Sequence, residues 1–400
     1  MSEFLNNSEL RVKSLLAFSR GIMNDENGLE LIKKHQNAID NITPFDMLKL
    51  EDTQLNMGYK INDIKKYIDK VINVFYKSLA SYKWEKPQED TFLYYLIEEN
   101  KALKLKLEEI KKIIIKKDLQ KNRIELLEIF NDLLSFEGHY LKKENILFPY
   151  LENKIEKNKA LSVMWSLDDD VKKMTKKIVT MLANPQIDVQ EFNVEIGKYF
   201  FLINGLVQKE ELVLFPVASQ VINEEEWEEM HHQSFEYDFP LINRPKVRAK
   251  KIFNKEKDLV NEGKYVLKSE TGQLTLEQAL LVFNNLPLDI TYVDENNKVR
   301  FFSNPKDRFF PRSPAIIGRD VNKCHPPESV SIVEEIVENF KSGKKDNAKF
   351  WLTIKDKFIM ISYYALRDEK GEYKGVLEVS QDVSEIRSLQ GQKRLLDWEK

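Results

Sequence analysis

His139 opens the run His139-Tyr140-Leu141-Lys142-Lys143-Glu144-Asn145-Ile146-Leu147-Phe148-Pro149. A partial echo comes at Gln208-Lys209-Glu210-Glu211-Leu212-Val213-Leu214-Phe215-Pro216, with Leu206 where the first copy has His139. An imidazole and carboxylates on facing helices are the donors of a metal site in a bundle core. His139 and Glu144, five residues apart, lie about 140° apart around a straight helix. Sharing one ion would need a local adjustment of the helix, or two ions. The better-aligned residue, four after His139, is Lys143, which cannot ligate while charged. Two readings are open: a metal site, or a hydrogen-bonded core histidine beside a helix-end carboxylate.

The other reactive pair is Cys324-His325, followed by Pro326 and Pro327. His325 could be an axial ligand to haem, and Cys324 near a helix start could have a lowered thiol pKa. The alternative is a structural turn entering the next helix. His35, His231 and His232 fall outside these motifs and read as surface residues. The single cysteine excludes an intramolecular disulfide and a Cys-rich zinc or iron–sulfur site. The chain has no Gly-rich phosphate loop, no Gly-x-Ser-x-Gly and no His-Glu-x-x-His, and only 13 glycines. It reads as non-catalytic.

The elements that carry these residues change character along the 400-residue chain. Residues 8–82 hold short helices with narrow apolar stripes, expected to dock on the longer helices beyond them. Helices are expected over about 92–115, 118–151, 163–182 and 189–218, joined by short loops, which makes a four-helix bundle. A tether comes next, and then strands at 288–293, 299–302, 348–354, 358–366 and 375–381 with a helix at about 327–341. The fold expected is multidomain: an all-α N-terminal half, then an α+β domain on a five-stranded antiparallel sheet. Charged residues make up 32% and apolar residues 42%, fitting long amphipathic helices. A net charge of −3 leaves no basic excess for a nucleic-acid partner. No stretch approaches 18 apolar residues and no signal peptide is readable, so a cytoplasmic protein without membrane contact is expected.

Residues 88–220 resemble a hemerythrin-like (HHE) cation-binding bundle, on His139, Lys-Glu-Asn-Ile-Leu-Phe-Pro-Tyr-Leu-Glu at 143–152 and Lys-Glu-Glu-Leu-Val-Leu-Phe-Pro at 209–216. In that family, helices one and three give histidines, and helices two and four give a histidine with a nearby carboxylate. Together they hold a non-haem di-iron centre that senses or binds oxygen or nitric oxide. By position this chain keeps His139, Glu144 and Glu211 as metal candidates. It departs where Tyr94-Tyr95, Asp168-Asp169-Asp170 and Leu206 replace histidines. What the resemblance leaves is a reduced, oxygen-rich iron site from Tyr94, His139, Glu144, Asp169 and Glu211.

The C-terminal region resembles a PAS sensor domain of the Cys-His-Pro-Pro type. The matching words include Leu-Pro-Leu-Asp-Ile-Thr-Tyr-Val-Asp at 286–294, Ile-Gly-Arg-Asp-Val-Asn-Lys-Cys-His-Pro-Pro-Glu-Ser-Val at 317–330 and Phe-Trp-Leu at 350–352. The order is similar to a three-part bacterial architecture. It has an N-terminal helical domain (1–84), a hemerythrin-like bundle (85–222), a tether (223–272), a PAS domain (273–386) and a tail (387–400). The resemblance implies a sensor or signalling protein that responds to a small molecule, redox state or protein partner. PAS pairing into a homodimer, haem or another ligand at Cys324 and His325, and iron in the bundle are its further implications.

Overall fold

The computed structural model describes residues 2–116, 118–155, 159–247, 266–269, 271–306, 308–354 and 356–392. The chain divides into two compact units, Met1–Phe253 and Asn254–Lys400.

The first unit is all helical. Helices α1 (Ser2–Met23), α2 (Gly28–Asp40), α3 (Pro44–Asn56) and α4 (Ile61–Ala80) precede the bundle. The Thr43-Pro44-x-Asp46 word starts α3 as its chemistry demands: Thr43 and Asp46 form a capping box with Pro44 in the first turn. Asp46 also accepts from Arg11 Nε at 2.7 Å and Ser8 at 2.8 Å, tying α1 to α3. The bundle's first helix is α5 (Phe92–Ile114), capped by Thr91. The second runs through α6 (Leu119–Leu134), α7 (Glu137–Lys142), a π turn at Lys143–Leu147 and α8 (Phe148–Lys154). The third is α9 (Ala160–Ala183). The fourth is α10 (Val189–Lys209), a π turn at Glu210–Leu214 and α11 (Phe215–Val221).

The N-terminal helices share the bundle's core. Phe18, Met47, Leu50, Ile72 and Phe75 join Leu96, Leu103, Ile146, Phe148, Leu206 and Phe215 in one buried cluster. A stretch expected as tether also belongs here. Helix α12 (Glu224–Gln233) has an Asn223–Glu226 capping box and buries Met230 and His231, while Tyr237 and Phe239 are buried just beyond it. The rest of the expected tether lies partly outside the described residues, and its end forms a hairpin.

That hairpin is β1 (Val266–Ser269) with β2 (Gly272–Thr275), followed by α13 (Leu276–Asn285). Strands β3 (Asp289–Asp294) and β4 (Val299–Phe302), helix α14 (Val330–Lys341) and strands β5 (Asn347–Ile354), β6 (Lys357–Arg367) and β7 (Tyr373–Asp382) complete the second unit, with α15 (Ser384–Ser388) at its end. The sheet order is β4-β3-β7-β6-β5, antiparallel throughout. Its core is Val293, Val299, Ile316, Val321, Phe340 and Val376. This is the α+β domain expected. Among the described residues no helix is long and apolar enough to cross a membrane.

Candidate functional site

The two Leu-Phe-Pro helices share one register. Placing Leu206 on His139 lays Lys209 on Lys142, Glu210 on Lys143 and Glu211 on Glu144. Both π turns start at the third of these pairs, at Lys143 in one helix and Glu210 in the other. A π turn holds one extra residue and is common at functional sites. Here it marks the centre of the bundle.

Each equivalent pair has a counter-charge. Lys142 Nζ donates to Glu99 of α5, and Lys209 Nζ donates to Glu51 of α3 at 2.9 Å. Glu144 accepts from Lys172 of α9 at 3.0 Å, and Glu211 accepts from Lys104 of α5 at 2.6 Å. The middle pair meets across the core: Lys143 Nζ donates to Glu210 and, at 2.7 Å, to Asp168 of α9. Asn100 Nδ2 donates to the other Glu210 oxygen at 2.6 Å.

His139 completes the cluster. Its Nδ1 lies 2.8 Å from Glu99 Oε2 and its Nε2 lies 3.2 Å from Glu210 Oε2. Ionised carboxylates only accept, so both ring nitrogens carry protons and His139 is an imidazolium. Burial works against that charge, but Glu210 and Glu99 outweigh it and raise the pKa above 6.5. Burial also opposes the charge of Glu210, yet Lys143 and His139 bring its carboxyl down to about 2. Asp168 goes the other way, up to about 6, because burial outweighs Lys143. Glu144 is pushed up to about 8 by burial, only partly offset by Lys172. Glu99, Asp168 and Glu210 thus face Lys142, Lys143 and protonated His139. Three carboxyl groups meet three basic groups there, each carboxyl against at least one nitrogen.

The hemerythrin resemblance implies a metal, and these residues do not fit one. Lys143 spans two of the carboxylates, both nitrogens of His139 face carboxylate oxygens, and Lys142 takes the second oxygen of Glu99. A dication there would displace or repel two ammonium groups. Among the described residues no three His, Cys, Asp or Glu side chains are arranged to hold a metal ion.

The set expected from sequence is not assembled. Glu211 is partly exposed and bound to Lys104, because the inward carboxylate of its helix is its neighbour Glu210. Glu144 is buried but paired to Lys172 and not to His139. Asp169 pairs with the same Lys172 at 2.8 Å. Tyr94 packs edge-on against Tyr95, which donates to Asp90 at 2.5 Å. Glu99 and Glu210 are the residues that sequence reasoning missed. Glu99 lies three after Leu96 and four before Leu103, on the inward stripe of α5, and Glu210 stands four after Leu206. Two histidines expected at the surface are buried as well. His35 is within 2.8 Å of the Ser14 hydroxyl, and His231 stacks on Tyr95.

In the second unit His325 lines a cavity of about 30 Å³ with Val293, Val321, Val333, Ile336, Tyr363 and Glu378. Its Nδ1 is 2.8 Å from the Val321 carbonyl, which can only accept. Nδ1 therefore carries the proton and Nε2 is an acceptor. Burial lowers the pKa of this ring, so it is neutral near pH 7. Arg312 approaches Glu378 at 3.8 Å, and its buried Nε has no hydrogen-bond partner. Cys324 turns aside, its Sγ 3.5 Å from the Asp320 carbonyl. The residues do not fit haem, since pockets for cofactors of that size span roughly 300–1,000 Å³.

Comparison with known proteins finds two families in the chain. The hemerythrin HHE cation binding domain matches residues 91–218, and a PAS domain matches residues 280–384. No curated protein matches. Among solved structures, a C-terminal domain from Streptococcus mutans is 32% identical, covering 32% of this chain and 98% of its own, with a TM-score of 0.31. A PAS domain from Colwellia psychrerythraea is 19% identical, covering 28% and 98%, with a TM-score of 0.23. A sensory box sensor histidine kinase from Vibrio cholerae is 13% identical, covering 27% and 91%, with a TM-score of 0.21. The chain therefore carries a hemerythrin HHE domain and a C-terminal PAS domain behind an N-terminal helical region, an assembly that fits a sensor or regulatory role.

Proposed function

We propose that this protein is a non-catalytic sensor. Its PAS cavity reads a compact polar molecule, and its helical unit presents the response to a protein partner in the cytoplasm. The observation that carries the reading is the wall of the cavity. His325 Nε2 is an acceptor there, and Glu378 lies beside an Arg312 whose buried Nε is unpaired. Apolar walls with a few converging polar groups favour small-ligand recognition. A space of about 30 Å³ holds little more than one water. The ligand is then a molecule of few heavy atoms, or one that enters as Val333 and Ile336 of α14 move. Purified full-length chain, denatured and extracted for mass spectrometry, should release a compact molecule. Panels of such molecules should shift the melting of wild type but not of His325→Ala or Glu378→Gln. Empty protein that melts identically throughout the panel, or that shows turnover, would sink the reading.

We further propose a homodimer built on the PAS unit. Its support is α13, where Leu276, Leu281 and Val282 are exposed around the helix, apolar surface that a second copy would cover by isologous contact. Light scattering on the full chain should give a dimer, and Leu281→Glu a monomer.

A further inference from the structure

The bundle keeps two buried carboxylates from different helices, Asp168 and Glu210, on one centre, while Glu99 is held across His139 by Lys142. Such a concentration of negative charge in an apolar core is stable only around a cation. We propose that the ammonium group of Lys143 is that cation, so that the bundle is a metal-free module with a latent metal site closed by one side chain. This goes beyond the sensor reading, which concerns the PAS cavity.

Three observations support it. Lys143 Nζ bridges Asp168 and Glu210 while its side chain is wholly buried. Lys143 occupies in helix two the register that Glu210 occupies in helix four, the first residue of each π turn. The second oxygen of Asp168 is buried with no hydrogen-bond partner, so this carboxylate retains an unused lone-pair position beside the one that meets Lys143. Replacing Lys143 by a carboxylate would put an anion opposite Glu210. His139, Asp168, Glu210 and the new side chain would then offer one imidazole and three carboxylates, a set suited to Mn(II), Fe(II) or Zn(II).

The test uses full-length wild type, Lys143→Glu and Lys143→Ala, each loaded with Mn(II), Zn(II) or anaerobic Fe(II) and desalted. Wild type should retain less than about 0.1 equivalent, and its Tm should be the same in metal and in chelator. Lys143→Glu should retain about one equivalent and gain several degrees of Tm in metal, reversed by chelator and lost when His139→Ala is added. Lys143→Ala removes the ammonium without adding a ligand, so it should lose stability in chelator and recover part of it in metal. The proposal is overturned if wild type binds a full equivalent through His139, or if both variants fold normally yet gain no metal. It is equally overturned if both stay unfolded in metal as in chelator, since a cation restored at that centre should refold them.

Discussion

At the scale of single residues, neighbouring charges set two buried carboxylates of one unit on opposite courses. Glu210 meets two cations and Asn100, and its pKa falls to about 2. Glu144 meets Lys172 but also Asp168 and Asp169, and its pKa rises to about 8. A depressed carboxyl gives stability that is present above its unfolded pKa of 4.5 and lost as pH falls through about 2. A raised one gives stability that is full below 4.5 and lost as pH rises through about 8. Glu210→Gln should therefore cost about 3–5 kcal/mol at pH 7, because it strands Lys143 and His139 in the core. Glu144→Gln should be nearly neutral at pH 4 and should stabilise by on the order of 2 kcal/mol at pH 9. Urea unfolding of both variants at pH 4, 7 and 9 checks these signs. Equal destabilisation by Glu144→Gln at pH 4 and pH 9 would mean that Glu144 is not the titrating group.

At the scale of elements, what could be read from sequence depended on whether the pattern was local. Apolar spacing and caps such as Thr43-Pro44-x-Asp46 located the long helices, and alternation located the five strands of the sheet. The centre of the bundle was harder, because a π turn is invisible to a periodicity of 3.6. A straight helix puts His139 and Glu144 on different faces, and the sequence names no partner for either. The ion pairs come from helices far apart in the chain, such as Glu51 with Lys209, so only packing reveals them. Helix α12 was hidden by its acidic and basic surroundings, although Trp227, Met230 and His231 have helical spacing. Gly375 is a further case. At φ +130° it lies against β3, and a Cβ there would come 2.1 Å from the Val293 carbonyl oxygen. Strain and overpacking act together at such a position. Gly375→Ala should cost the PAS unit on the order of 4 kcal/mol, read as loss of its unfolding transition at 37 °C. A Tm within a degree of wild type would refute the close approach.

At the scale of the molecule, the two units own separate cores. One is the large cluster shared by the N-terminal helices and the bundle; the other is the small cluster between the PAS sheet and its helices. Cooperativity tracks the core, since each unit loses its packing all at once. The N-terminal helices should therefore unfold together with the bundle and not before it. Three ties enforce this: Glu51 with Lys209, Lys65 with Asp170 at 2.6 Å, and Asp52 with the Ala160 amide at 2.7 Å. Scanning calorimetry of the full chain should then show two transitions. Lys143→Ala should lower only the one that also carries the α1–α4 signal, and Gly375→Ala should lower only the other. The enthalpies should differ in the same sense as the core sizes, the helical unit having much the larger. A third transition assigned to α1–α4 would show that those helices form a domain of their own. A shift of both transitions by either variant would show instead that the two cores are energetically coupled. The same scan, repeated with a PAS ligand bound, measures how much of the binding energy reaches the bundle in the liganded state.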